Sequence, residues 1–122
     1  MRLSPFVVVG ILSLSACKDS RADAYAAFLK DKFGSSAAFQ AKYPAGKSFE
    51  MAAKVREKGE CGSAICDVSL EAPDKMWMLF ELPPTQTGIK QLKPGQSVII
   101  KCVPVYEGGS LKIDKSCTVS PS

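Results

Sequence analysis

From Phe49 onward the apolar residues recur at every second position, and this period restricts the fold more than any other feature of the chain. Phe49, Met51, Ala53 and Val55 alternate with Glu50, Ala52, Lys54 and Arg56. Val68, Leu70 and Ala72 alternate with Asp67, Ser69 and Glu71. In Lys75–Leu82, the most apolar segment, Met76, Met78, Phe80 and Leu82 take one side and Trp77, Leu79 and Glu81 the other. Successive strand side chains point to opposite faces, so each segment reads as a half-buried β-strand. "SVIIKCVPVY" (97–106) and "SLKIDKSCTV" (110–119) supply a fourth and a fifth strand, joined at Glu107-Gly108-Gly109 as a hairpin. Turns are expected at Glu57–Ser63 and Ala72-Pro73-Asp74, and residues 85–95 form a longer connection with room for one helical turn.

Ahead of the strands the period is helical. Ala22, Tyr25, Phe28, Leu29 and Phe33 recur at three- and four-residue spacing, one face of a helix over 18–33. Ser20 with Asp23 fits a capping box, and Gly34 is a good stop. Ser35 or Ser36 can cap a second, shorter helix through Ala37–Tyr43, with Phe39 and Tyr43 on its inner face, and Pro44-Ala45-Gly46 ends it. The expected fold is mainly β with N-terminal helices: a five-stranded OB-fold-like barrel preceded by one or two short helices.

The first residues belong to neither pattern. Met1-Arg2-Leu3 is basic, Pro5–Leu14 is uncharged and mostly apolar, and the small residues Ser15 and Ala16 precede Cys17. This is the layout of a secretory signal peptide, too short for a transmembrane helix. Leu14-Ser15-Ala16-Cys17 resembles the bacterial lipobox. The resemblance implies cleavage before Cys17, a diacylglycerol thioether on its sulfur and an acylated amine. Lys18, where enteric inner-membrane lipoproteins carry Asp, leans towards the outer membrane, facing the periplasm or the cell surface. The expected organisation is a lipoprotein signal peptide at 1–16, a lipidated N-terminus and helical segment at 17–43, and the β-domain at 44–122. Removal of residues 1–16 leaves 106 residues and a net charge of +3, enough for one small domain and too weakly basic to imply nucleic acid.

Of the five cysteines, lipid at Cys17 leaves Cys61, Cys66, Cys102 and Cys117. In an exported domain an even set reads as two disulfides. Cys61 and Cys66 flank a loop short enough to staple. Cys102 and Cys117 both point to the core if the last two strands pair, but a hairpin centred on Gly108-Gly109 sets Cys102 nearer Lys115. The pairing 61–66 with 102–117 comes first, and a crossed pairing such as Cys66 with Cys117 stays open. Cys-x4-Cys lacks thioredoxin-type spacing, and a fourteen-residue gap between Cys102 and Cys117 does not suit a four-cysteine zinc site.

"AFQAKYPAGKSFEMAAKV" (38–55) resembles the approach to the first strand in the tRNA-anti-like bacterial lipoproteins and related small OB-fold proteins. Their pattern runs helix, Ala-x-x-x-Tyr-x-Gly-Lys, then strand. Here Tyr43 and Gly46-Lys47 match, with one extra residue at Pro44 or Ala45. "LKPGQSVIIKC" (92–102) is similar to the start of the family's fourth strand, and "LKIDKSCTV" (111–119) to its closing strand with a late Cys. The chain departs from the pattern at Ala52-Ala53, where the family often has Gly, and in its extra pair Cys61/Cys66. The resemblance spans residues 25–119; it implies the barrel and brings no ligand with it.

The chain has no histidine, which removes the commonest general base and metal ligand. Carboxylate pairs such as Glu57/Glu60 and Asp67/Glu71 fall on turn-like or solvent-facing positions. No catalytic residue, metal or cofactor is expected, and the chain reads as a non-enzyme. The expected function is a membrane-tethered periplasmic lipoprotein whose OB-like module binds a protein, peptide or envelope glycan. The alternative is an inhibitor of a hydrolase, or a lipoprotein that excludes phage or plasmid. A tethered, exported domain does not meet tRNA, and its scattered lysines make a poor single-strand groove. The expected binding surface comprises Trp77, Lys54, Arg56, Lys101 and Tyr106.

Overall fold

A computed structural model describes residues 20–86 and 88–122; the expected signal peptide at 1–16 and Cys17 lie outside the described residues. Helix α1 (Ser20–Lys32) buries Tyr25, Phe28 and Leu29, the inner stripe of the sequence pattern. Phe33, the last member of that stripe, lies past the helix end and is 78% exposed. Helix α2 (Ser36–Lys42) starts where Ser35 Oγ accepts a hydrogen bond from the Ala38 amide at 3.0 Å. Its Phe39 and the following Tyr43 close an aromatic cluster on Phe28, at ring distances of 5.5 and 5.4 Å. Lys42 and the Tyr43 hydroxyl both reach Asp31 Oδ2 at 2.8 Å, tying α2 to the end of α1. The lysine, with help from the phenol, holds the Asp31 carboxyl below its usual range. Tyr25 donates to the Leu70 carbonyl at 2.7 Å, and burial pushes its phenol pKa upward.

The sheet consists of β1 (Phe49–Cys61), β2 (Cys66–Glu71), β3 (Trp77–Leu82), β4 (Ser97–Cys102) and a final strand, β7 (Cys117–Pro121). Between β4 and β7 lie a hairpin of β5 (Tyr106–Glu107) and β6 (Ser110–Leu111) and one helical turn, α3 (Ile113–Ser116). Strand β1 runs through most of the expected Glu57–Ser63 turn, which shrinks to the loop after Cys61. Its outer half is largely exposed, so no buried face imposed an alternation on the sequence there. The strand serves two neighbours: Phe49–Lys54 pairs with β4, and Lys54–Cys61 with β2. A register shift between Val55 and Glu57 marks a bulge at Arg56.

The strand order is β3-β2-β1-β4-β7 with every pairing antiparallel, so the two edge strands run parallel to each other. They do not pair, and the expected closed barrel is not formed. Other groups occupy the gap. The turn α3 packs against β3. Gln86 reaches the edge of β7, its Nε2 donating to the Cys117 carbonyl at 3.1 Å and its Oε1 accepting from the Val119 amide at 3.0 Å. The side-chain amide thus takes the place of a neighbouring strand's backbone. Gln86→Ala removes two hydrogen bonds from a partly buried edge. It is expected to lower stability by about 1–2 kcal/mol and to speed hydrogen exchange at the Val119 amide. Exchange at Val119 unchanged in the variant would mean the clamp contributes nothing.

The expected fourth and fifth strands are each interrupted. Strand β4 stops at Cys102, two residues before Pro104, which has no amide to donate. The expected strand over 110–119 divides into β6, α3 and β7. The hairpin register Tyr106–Leu111 and Glu107–Ser110, continued, would set Cys102 opposite Lys115. The helical turn takes up two residues, so Cys102 faces Cys117. The disulfides join Cys102 to Cys117 and Cys61 to Cys66, the second pair forming the last rung between β1 and β2. Along β3 only Phe80 and Leu82 are fully buried. Met78 is half-buried, and Met76, expected on the same side, is exposed.

Candidate functional site

Antiparallel register sorts the outer face of the sheet into rungs. Lys54, Glu71 and Trp77 form one rung across β1, β2 and β3; Glu57, Ser69 and Leu79 form the next. Trp77 is 46% exposed and Leu79 45%, beside the exposed Met76. Trp77 and Leu79 thus give this face two exposed apolar side chains on successive rungs.

Arg56 completes the cluster. The bulge leaves it without a partner on β2, which frees its side chain to cross that strand. Ser69 is small enough to pass under it. The guanidinium arrives over the Trp77 ring, 4.3 Å from the centroid, two strands away. This is a cation–π contact, which leaves guanidinium N–H groups that do not face the ring able to meet an acceptor. Its ion pair with Glu57 is loose, at 3.7 Å between exposed groups.

Charge changes sign along this face. At the end nearer α1, Glu50 is shared by Arg21 at 3.2 Å and Lys101 at 3.9 Å, and Glu71 lies 3.4 Å from Lys75. Lys54 has no ion pair among the described residues. At the far end Asp67 stands opposite Glu81, and Asp67 Oδ1 is buried without a hydrogen-bond partner among the described residues. Gly59 packs flat on this aspartate: a Cβ there would stand 3.0 Å from Asp67 Cβ.

A cleft of about 430 Å³ opens where β2 ends, beside Lys54. Its walls include Ala22, Ala52, Ala72, Lys54, Glu71 and Lys75. Sequence reasoning missed it. The available signal was a set of alanines on strand-alternating and helical positions, small side chains that leave room once α1 meets the sheet. A smaller cleft of about 180 Å³ lies between α2 and the β5–β6 hairpin, lined by Lys32, Ser36 and Tyr106 among others. Burial lowers the pKa of Lys32 there.

The structure therefore brings together Trp77, Arg56 and Lys54 of the expected binding surface. Lys101 shares the outer face but lies on β4, paired with Glu50 rather than near Trp77. Tyr106 does not belong to it. Its hydroxyl donates to the Tyr43 carbonyl at 2.6 Å and its ring meets Phe39 edge-on, so it braces the hairpin against α2. Cys61, Cys66, Cys102 and Cys117 are all in disulfides. Among the described residues, no group of three carboxylates or cysteines is placed to hold a metal ion. Compared with protein-family models, curated proteins and solved structures, the chain matches none.

Proposed function

We propose that this chain is a lipid-anchored protein of the bacterial envelope, whose OB-related domain binds an envelope component on the outer face around Trp77 and Arg56. The anchoring rests on the lipobox-like "LSAC" at 14–17 and on two disulfides, which persist in oxidising compartments. No helix among the described residues is long and apolar enough to cross a membrane. The strand order is that of an OB barrel opened between its third and last strands, which supports kinship with the tRNA-anti-like lipoproteins. OB domains bind their ligands on the face of strands two and three, and Trp77 and Leu79 lie on β3.

The single observation that carries this reading is the Arg56 guanidinium held over the ring of an exposed Trp77. Tryptophan and arginine are the residues most enriched where binding energy concentrates. The test is co-purification from native membranes with wild type, Trp77→Ala and Tyr106→Phe. Wild type and Tyr106→Phe are expected to retain the same component, and Trp77→Ala to lose it by about thirtyfold, the effect of a typical hot spot. Indistinguishable profiles for all three would sink the assignment of this face. Loss of membrane association in Cys17→Ser is the separate check on the anchor.

A further inference from the structure

We propose that the Trp77–Arg56–Lys54 face lies on the bilayer that holds the anchor and takes the phosphate groups of its headgroup layer. This rests on the lipid-anchored reading and names the ligand of the same site.

The first argument is length. Two residues, Lys18 and Asp19, lie between Cys17 and Ser20, the first residue of α1, so three Cα steps separate the anchor from the helix. Extended chain covers about 3.5 Å per residue, so the anchor lies within about 10 Å of the helix start. That helix start reaches an outward-facing residue of β1, Arg21 pairing with Glu50 at 3.2 Å, and Ala22 lines the cleft that also holds Lys54. Trp77 is two strands from Lys54 on the same rung, about 10 Å away at ordinary strand spacing. An anchor this close to the helix start keeps the face within reach of the headgroup layer.

The second argument is charge. The acidic groups nearest α1 are already matched, Glu50 by Arg21 and Lys101 and Glu71 by Lys75. Lys54 and the loosely held Arg56 are then the cations available to an incoming anion, while Asp67 and Glu81 lie at the far end, away from the anchor. A guanidinium carries paired N–H donors suited to phosphate oxygens. The third argument is side-chain type. Tryptophan beside lysine and arginine, with Leu79 alongside, is the set that settles at the headgroup level.

Trp77 is the only tryptophan in the chain, so its emission reports this face alone. The lipidated protein is reconstituted in phosphatidylcholine vesicles with and without phosphatidylglycerol, each carrying lipid brominated near the headgroup. The expected result is blue-shifted, quenched emission that strengthens with phosphatidylglycerol. In a Lys54→Gln/Arg56→Gln double variant the docked-to-undocked ratio is expected to fall about thirtyfold, from about fivefold per lost cation at an anionic surface. Emission that stays unquenched in anionic vesicles, or quenching indifferent to the double substitution, would overturn the proposal. So would inorganic phosphate reproducing the emission change, which assigns the site to free phosphate, or a co-purified protein requiring both Trp77 and Arg56. Vesicle flotation and the mass of the Cys17 residue report the anchor independently. If Cys17 is unmodified the anchored reading fails, and the same chain is sedimented with the same vesicles. Binding lost in the double variant then upholds the face, and absence of binding overturns it.

Discussion

Replacing Phe28 by alanine is expected to destabilise the domain by about 3–5 kcal/mol, the range for a fully buried large aromatic. Phe28 has no exposed surface and sits between the helices and the sheet. Its ring meets Phe39 and Tyr43 edge-on, lies 6.0 Å from Phe49 at the start of β1, and stacks on Tyr25 at 6.3 Å. Truncation leaves a cavity walled by rings from two helices and a strand, which cannot all move inward together. Phe33→Ala, five positions along the same sequence stripe, is expected to change stability by no more than about 0.5 kcal/mol, because Phe33 is 78% exposed. Urea denaturation followed by circular dichroism measures both. Equal losses at the two positions would mean that the helix docks in a different rotation.

The contrast between these phenylalanines shows what periodicity can and cannot convey. A stripe at three- and four-residue spacing locates the buried side of a helix, but not the point where the helix ends and the stripe stops mattering. The same limit applies to β1. Its first half alternates because one side is buried, and that half was legible. Its second half extends the ladder to the Cys61–Cys66 rung with exposed side chains, and read as a turn. Strands four and five were legible as β but not as interrupted. The signal was present in Pro104 and in the register conflict at Cys102, yet only a backbone path could show a helical turn absorbing two residues. The free edge of β7 is met by Gln86, one polar residue in a connection, whose side chain stands in for backbone; no pattern marks such a residue in advance.

The candidate site divides in the same way. Trp77, Lys54 and Arg56 were legible as outward-facing positions on strands. Their meeting was not, because Arg56 reaches Trp77 through a bulge and over a serine. Simple alternation would have left Arg56 facing its neighbour on β2. Tyr106 lies apart from these three because the strands flanking its hairpin are not continuous. In the structure that hairpin is a separate two-stranded sheet, and its tyrosine is spent on Tyr43.

Removing the Cys102–Cys117 disulfide as Cys102→Ala/Cys117→Ala is expected to cost about 3 kcal/mol from loop closure alone, for a separation of 15 residues. Both cysteines are buried in the core, so lost packing adds to that figure. In a domain of this size the combined loss lowers the melting temperature by at least about 12 °C. The segment between the two cysteines contains a hairpin and a helical turn, and it is the most diverted part of the chain. Beyond the ladder itself, β7 is held to the sheet by this bond and by the Gln86 clamp on its other edge. The two constraints act on one strand, so combining the double cysteine substitution with Gln86→Ala is expected to be non-additive. The Cys61–Cys66 bond closes a shorter loop, with a separation of 5, so its removal as Cys61→Ala/Cys66→Ala is expected to cost less, about 2 kcal/mol, localised to the tip of β1 and β2. Thermal melts of the two double variants, with hydrogen exchange at Val119 and Val68, separate the effects. A larger loss from the Cys61–Cys66 pair, or undisturbed exchange at Val119 without the Cys102–Cys117 bond, would show that β7 is held by its ladder to β4 and that the disulfide is dispensable to its register.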